Sequence, residues 1–192
     1  MMQMNIVGED AVTRAIIKRL IKEYRPDIHI GAELPIRGGE IKRQSLIFNK
    51  LNEPVFILTD QDDAHCPPMM ISAWFGTQII NKFMNFRIAT TEAEVWLMAD
   101  REGFAKWLRI DKNDIPKARP VNRRTGYIEL PFPIKPSLYL MKVLAAKSKN
   151  LDLMDQLMPK ELARKGPAYN TALVPFIENK WTPEVARKTL QV

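Results

Sequence analysis

The sequence predicts an α/β protein: a mostly parallel central sheet flanked by helices, with a mainly helical C-terminal extension. Three observations carry the α/β reading. Short apolar runs alternate with amphipathic stretches over the first 110 residues, the pattern of successive strand–helix units. The run Pro54-Val55-Phe56-Ile57-Leu58-Thr59 is a continuous apolar stretch, as a central parallel strand covered on both faces requires. Acidic residues follow two of these runs directly, where parallel sheets collect functional side chains.

The elements follow in chain order. Gln3 to Val7 is a short apolar strand broken by Gly8-Glu9-Asp10. From Ala11, the residues Ala15, Ile16, Leu20 and Ile21 recur at helical spacing with basic residues between them. Pro26 ends that helix, and Ile28 to Leu34 is a second strand. Arg37-Gly38-Gly39 is a turn, since glycine tolerates positive φ, and a basic helix runs from Glu40 to Leu51. The central strand from Pro54 ends at Asp60-Gln61-Asp62-Asp63. Pro67-Pro68 opens a helix carrying Met70, Ile71, Trp74, Phe75, Ile79 and Ile80. Phe86 to Ala89 is a short strand, and a helix spans Thr91 to Leu108 with a break near Gly103. Residues 111–136 form a proline-rich, basic excursion; a helix covers Pro136 to Lys149; short helices then lie between Pro159, Pro167, Pro175 and Pro183. Residues 1–110 are thus expected to form the core, with 111–192 a loop and helical extension packed on it.

Composition narrows the function classes. Lys and Arg number 29 against 22 Asp and Glu, a net charge of +7, which suits a phosphate-rich partner. One cysteine, Cys66, excludes an internal disulfide and fits a reducing, cytoplasmic setting. With two histidines and one cysteine, a closed zinc site has too few soft ligands. No apolar run approaches the ~18 residues of a membrane span. No Walker-type phosphate loop is present. The methionines and the tryptophans Trp74, Trp96 and Trp107 recur at helical spacing and read as core.

Glu9, Asp60 and Asp62 are the candidate catalytic and metal-ligating residues. Carboxylates gathered at neighbouring strand ends repel one another unless a cation lies between them, and hard oxygen donors favour Mg²⁺ or Mn²⁺. The same residues also suit plain structural roles. Asp60 or Asp63 can end a strand and start a helix, and Glu9-Asp10 complements a helix dipole. Glu94 has two readings as well. Thr91-Glu92-Ala93-Glu94 has the form of a capping box, yet Leu97 and Met98 put Glu94 on an apolar helix face, where an acid needs a buried partner.

Taken with their order, these stretches resemble the TOPRIM (topoisomerase–primase) family, and most closely its small stand-alone bacterial members related to the nuclease half of OLD-family proteins. Ile6-Val7-Gly8-Glu9-Asp10 is similar to the family's first motif, Arg37-Gly38-Gly39 to its arginine–glycine turn, and Phe56-Ile57-Leu58-Thr59-Asp60-Gln61-Asp62 to its Asp-x-Asp strand. Glu94 to Phe104 is similar to the family's glutamate and Trp-Leu helix ending in Ala-Asp. Gly166-Pro167-Ala168-Tyr169-Asn170 and Trp181-Thr182-Pro183-Glu184 are similar to its C-terminal signature. One departure stands out: TOPRIM domains usually place glycine after the glutamate, whereas here Gly8 precedes Glu9 and Asp10 follows it.

The resemblance implies Mg²⁺-dependent cleavage of a phosphodiester in DNA or RNA. Glu9 would be general base or acid, Asp60 and Asp62 metal ligands, and Glu94 a further ligand or the orienter of one. It also implies an effector in a bacterial anti-phage defence system beside an ABC- or AAA-type ATPase, with oligomerisation left open. The alternative is a non-catalytic TOPRIM-like partner or regulatory subunit of such an ATPase. Lys42, Arg43, Arg123, Arg124, Arg164 and Lys165 are candidates to grip the sugar–phosphate backbone, though each also suits a plain solvated surface, and Tyr169 is either a base-stacking residue or ordinary core.

Overall fold

The computed structural model describes residues 2–36, 39–62, 64–121 and 128–190, residue 35 by its backbone alone. They fall into two compact units, Met1–Ala93 and Glu94–Val192.

The first unit alternates strand and helix as the sequence predicts. Its elements are β1 (Met2–Gly8), α1 (Ala11–Tyr24), β2 (Ile28–Pro35), α2 (Ile41–Phe48), β3 (Val55–Asp60), α3 (Pro67–Phe75) and β4 (Met84–Ala89). The four strands form an all-parallel sheet in the order β2-β1-β3-β4. Successive strand residues face opposite sides, so the central strands must be apolar on both. Val7, Val55 and Ile57 join Ile41 of α2, Phe75 of α3 and Phe86 of β4 in one buried cluster. Ile6 and Leu58, of the opposite parity, are fully buried as well; α1, which packs on β1 and β3, buries Val12, Ala15, Ile16 and Ile17. Each such side chain contributes about 1.5–3 kcal/mol by leaving water.

The chain runs from β1 outward to β2, then crosses to the far side of β1 to lay down β3. Chain direction across the sheet therefore reverses between β1 and β3, and the carboxyl ends of those two strands bound the crevice where open α/β sheets bind ligands.

The second unit is helical: α4 (Glu94–Ala99), α5 (Arg101–Leu108), α6 (Pro136–Tyr139), α7 (Leu151–Leu157), α8 (Tyr169–Asn179) and α9 (Pro183–Leu190), with a π-helical turn at Leu140–Leu144 continuing α6. No helix among the described residues is long and apolar enough to cross a membrane.

Several boundaries differ from the sequence expectation. The helix expected to carry Ile79 and Ile80 stops at Phe75, because Gly76 takes φ +60° and Ile79 is left 89% exposed. The helix expected from Thr91 to Leu108 is two helices, broken at Asp100 and not at Gly103. Pro175 does not punctuate the tail but lies inside α8. Within the second unit the apolar face of α5 packs with later helices: Trp107 stacks on Phe176 at 4.6 Å, and Phe104 meets Phe176 edge-on.

Candidate active site at the β1 and β3 strand ends

Gly8 closes β1, and α1 begins three residues later. A Cβ on Gly8 would stand 2.5 Å from Thr13 Oγ1 and 2.9 Å from the Arg14 backbone nitrogen, so the tight strand-to-helix turn admits glycine alone. Asp10 caps α1: its side chain accepts from the Thr13 amide at 3.0 Å while the Thr13 hydroxyl accepts from the Asp10 amide at 3.1 Å. Gly8 thus makes the turn, Asp10 caps the helix, and Glu9 is left between them.

Glu9 reaches sideways to the adjacent strand. Its Oε1 accepts from the hydroxyl of Thr59, a fully buried residue of β3, and from the Asp60 amide at 3.2 Å. Among the described residues no hydrogen bond falls on Oε2. Burial pushes the Glu9 carboxyl above its ordinary range; the Thr59 hydroxyl and Asp60 amide pull it back, and the charges of Asp62 and Asp10 push it up again.

Asp60 ends β3, and its Oδ1 accepts from the Ala93 amide at 2.8 Å. Asp62 is exposed, takes a left-handed φ of +48°, and donates its amide to the Thr91 carbonyl at 2.9 Å. Between them Gln61 is buried, its amide nitrogen held by the Ala64 carbonyl at 2.6 Å. Gln61 Oε1 has no hydrogen-bond partner among the described residues. A buried carbonyl oxygen left without a donor is uncommon, and it is a hard donor of the kind that Mg²⁺ and Ca²⁺ accept. Among the described residues no three His, Cys, Asp or Glu side chains are grouped closely enough to hold a metal by themselves. Mg²⁺, however, is usually held by one or two carboxylates, with water and phosphate oxygens completing its shell. The donor set of Glu9, Asp60, Asp62 and Gln61 Oε1 fits that mode by its chemistry.

Glu94 opens the second unit and is 6% exposed. It is not a capping-box residue of Thr91, which itself has a left-handed φ of +64°. Its Oε1 accepts from the Tyr169 hydroxyl at 2.7 Å. Tyr169 is 2% exposed, which fits the core reading of this residue rather than base stacking, and its hydroxyl serves Glu94.

Trp96, Asp100, Trp181 and Thr182 of this unit meet as well. Trp181 donates its indole N–H to the Trp96 carbonyl at 3.2 Å. Asp100, 3% exposed, accepts from the Gly103 amide with one oxygen and from the Thr182 amide with the other, at 3.1 and 3.0 Å.

Of the basic candidates, Lys42, Arg43, Arg164 and Lys165 are exposed. Arg43 is 3.7 Å from Glu40, and Lys165 lies over the Tyr169 ring at 5.1 Å. Arg123, Arg124, Asp63 and the Arg37-Gly38 pair lie outside the described residues. Sequence reasoning missed Thr59, whose one signal was a hydroxyl inside an otherwise apolar strand, and Gln61, which nothing in the sequence marks. It also missed the double capping role of Asp100. Comparison with known proteins finds no matching family model, no matching curated protein and no matching solved structure.

Proposed function

We propose that this chain is a metal-dependent nuclease that cleaves phosphodiesters through Glu9, Asp60 and Asp62, as its resemblance to TOPRIM proteins implies. One observation carries the reading: at the switch point of the sheet, the Glu9 carboxylate is tied across to β3 by the Thr59 hydroxyl and the Asp60 amide. That tie joins the two acidic strand ends into one site and leaves Glu9 Oε2 outside both contacts.

Thr59 and the Asp60 amide orient Glu9, and Ala93 orients Asp60. A glutamate whose carboxyl is raised toward neutrality is the better matched to accept and return a proton at working pH. Asp60, Asp62 and the Gln61 carbonyl are the oxygen donors for Mg²⁺ or Mn²⁺, with Glu9 completing or facing that shell. The cation would supply polarisation of a phosphoryl oxygen and activation of water or a hydroxyl. By the same resemblance the setting is an anti-phage system with an ATPase partner.

The second reading is a non-catalytic TOPRIM-like subunit, favoured by the lack of a three-acid group among the described residues. The deciding experiment incubates purified protein with labelled DNA and RNA in Mn²⁺ or Mg²⁺, alongside Asp60→Asn. Asparagine keeps an acceptor for the Ala93 amide, so the fold is retained. Metal-dependent cleavage that falls about 10²–10³-fold in the variant is expected, the loss of several kcal/mol that a metal contributes. Cleavage equally fast in Asp60→Asn overturns the site.

A further inference from the structure

The second unit carries a groove of about 790 Å³ to which the acidic residues of the first contribute nothing. Its lining includes Gly103, Lys106 and Trp107 of α5, Arg109 just beyond α5, Asn150 at the start of α7, and Lys180 just beyond α8. Three of these residues are cations and none is acidic. Lys106, Arg109 and Lys180 are exposed, and among the described residues no carboxylate pairs with them. Three cations that converge on one groove with no acid in its lining concentrate positive potential there.

Arg109 adds an independent sign. It follows the last residue of α5 with φ +56° and ψ +47°, the left-handed position where helices usually end in glycine. A residue that carries a Cβ is strained in that conformation. The wall beside it is rigid, since Trp107 is held between Phe176, stacked at 4.6 Å, and Phe104, edge-on at 5.2 Å. Trp107 is 9% exposed, so it shapes the groove wall, and the three cations are the groups that a sugar–phosphate backbone would meet.

We propose that this groove binds the sugar–phosphate backbone of a single-stranded nucleic acid through Lys106, Arg109 and Lys180. The choice of nucleic acid over a small phosphate ester rests on the nuclease reading, to which the groove adds a second holding place for the substrate.

The test measures binding of a labelled single-stranded oligonucleotide in EDTA, so that cleavage plays no part. It compares the wild type with Lys106→Ala/Arg109→Gly/Lys180→Ala and with a charge-matched control, Lys22→Ala/Lys50→Ala/Lys82→Ala. Removing three phosphate contacts is expected to flatten the plot of log affinity against log salt by about 2, with the control unchanged. Arg109→Gly alone should weaken binding several-fold yet hold or raise Tm, by about 2–4 °C, because glycine relieves the left-handed strain. That single variant keeps the inference testable if the triple variant is unstable. Wild-type affinity and slope in the groove variants, or an equal loss in the control, overturns the proposal. So does displacement of the oligonucleotide by millimolar inorganic phosphate or ATP, which would assign the groove to a small phosphate ligand. Failure of the nuclease reading shows separately, as no metal-dependent cleavage by the wild type.

Discussion

Glu9 carries its charge where burial disfavours it, and that sets a pH signature. A carboxyl raised in the folded chain binds its proton more tightly there than in the unfolded chain. Folding stability therefore falls as pH rises from the unfolded value near 4.5 through the raised one, and the full penalty stands at neutral pH. Glu9→Gln removes the ionisation while keeping an oxygen for Thr59 and the Asp60 amide. Thermal melts in metal-free buffer should give this variant and the wild type equal Tm near pH 4 and a higher Tm for the variant at pH 7 to 8. A Tm difference that does not change with pH would show that the carboxyl is not perturbed. The acids themselves were legible in the sequence, since Glu9, Asp60 and Asp62 follow apolar runs that could only be strands. Thr59 was not, because a threonine in a strand is ordinary until the neighbouring strand is known.

At the scale of elements, Asp100 does the work of two caps. One carboxylate oxygen starts α5 through the Gly103 amide, and the other holds the Thr182 amide just ahead of α9. Asp100→Ala strands two backbone donors in a site only 3% exposed, an expected loss of about 2–4 kcal/mol. Asp100→Asn keeps one acceptor and should lose about half as much; chemical denaturation measures both. Equal stability of all three proteins would remove Asp100 from this role. The helix boundaries that sequence reasoning misplaced have the same origin. Periodicity alone carried one helix from Thr91 to Leu108 and another on to Ile80, while the breaks are decided by a buried aspartate and by the backbone of Gly76. Likewise the two readings of Tyr169 stayed open in the sequence because only the tertiary structure supplies Glu94 as its partner.

At the scale of the molecule, alternating strands and helices made the parallel sheet legible from hydrophobic pattern. The aromatic packing of α5 on α8 was hidden, because periodicity marks an apolar face without naming the face that covers it. If the strand-end acids hold a divalent cation, that ion must stabilise the folded chain by mass action. At a metal concentration about 100 times Kd the gain is about 2.7 kcal/mol, or about 5–10 °C in Tm for a chain of this size. A Mg²⁺ or Mn²⁺ titration followed by differential scanning fluorimetry should show that rise in the wild type and a much smaller one in Asp60→Asn. An identical response in both would place the ion elsewhere.

All four strands are complete by Ala89, and each finds its neighbours among residues already made. Units generally mature in N-to-C order as a polypeptide leaves the ribosome. The ladder from β2 to β4, and with it the Thr59 latch on Glu9, can therefore close while the remaining half of the chain is still being translated.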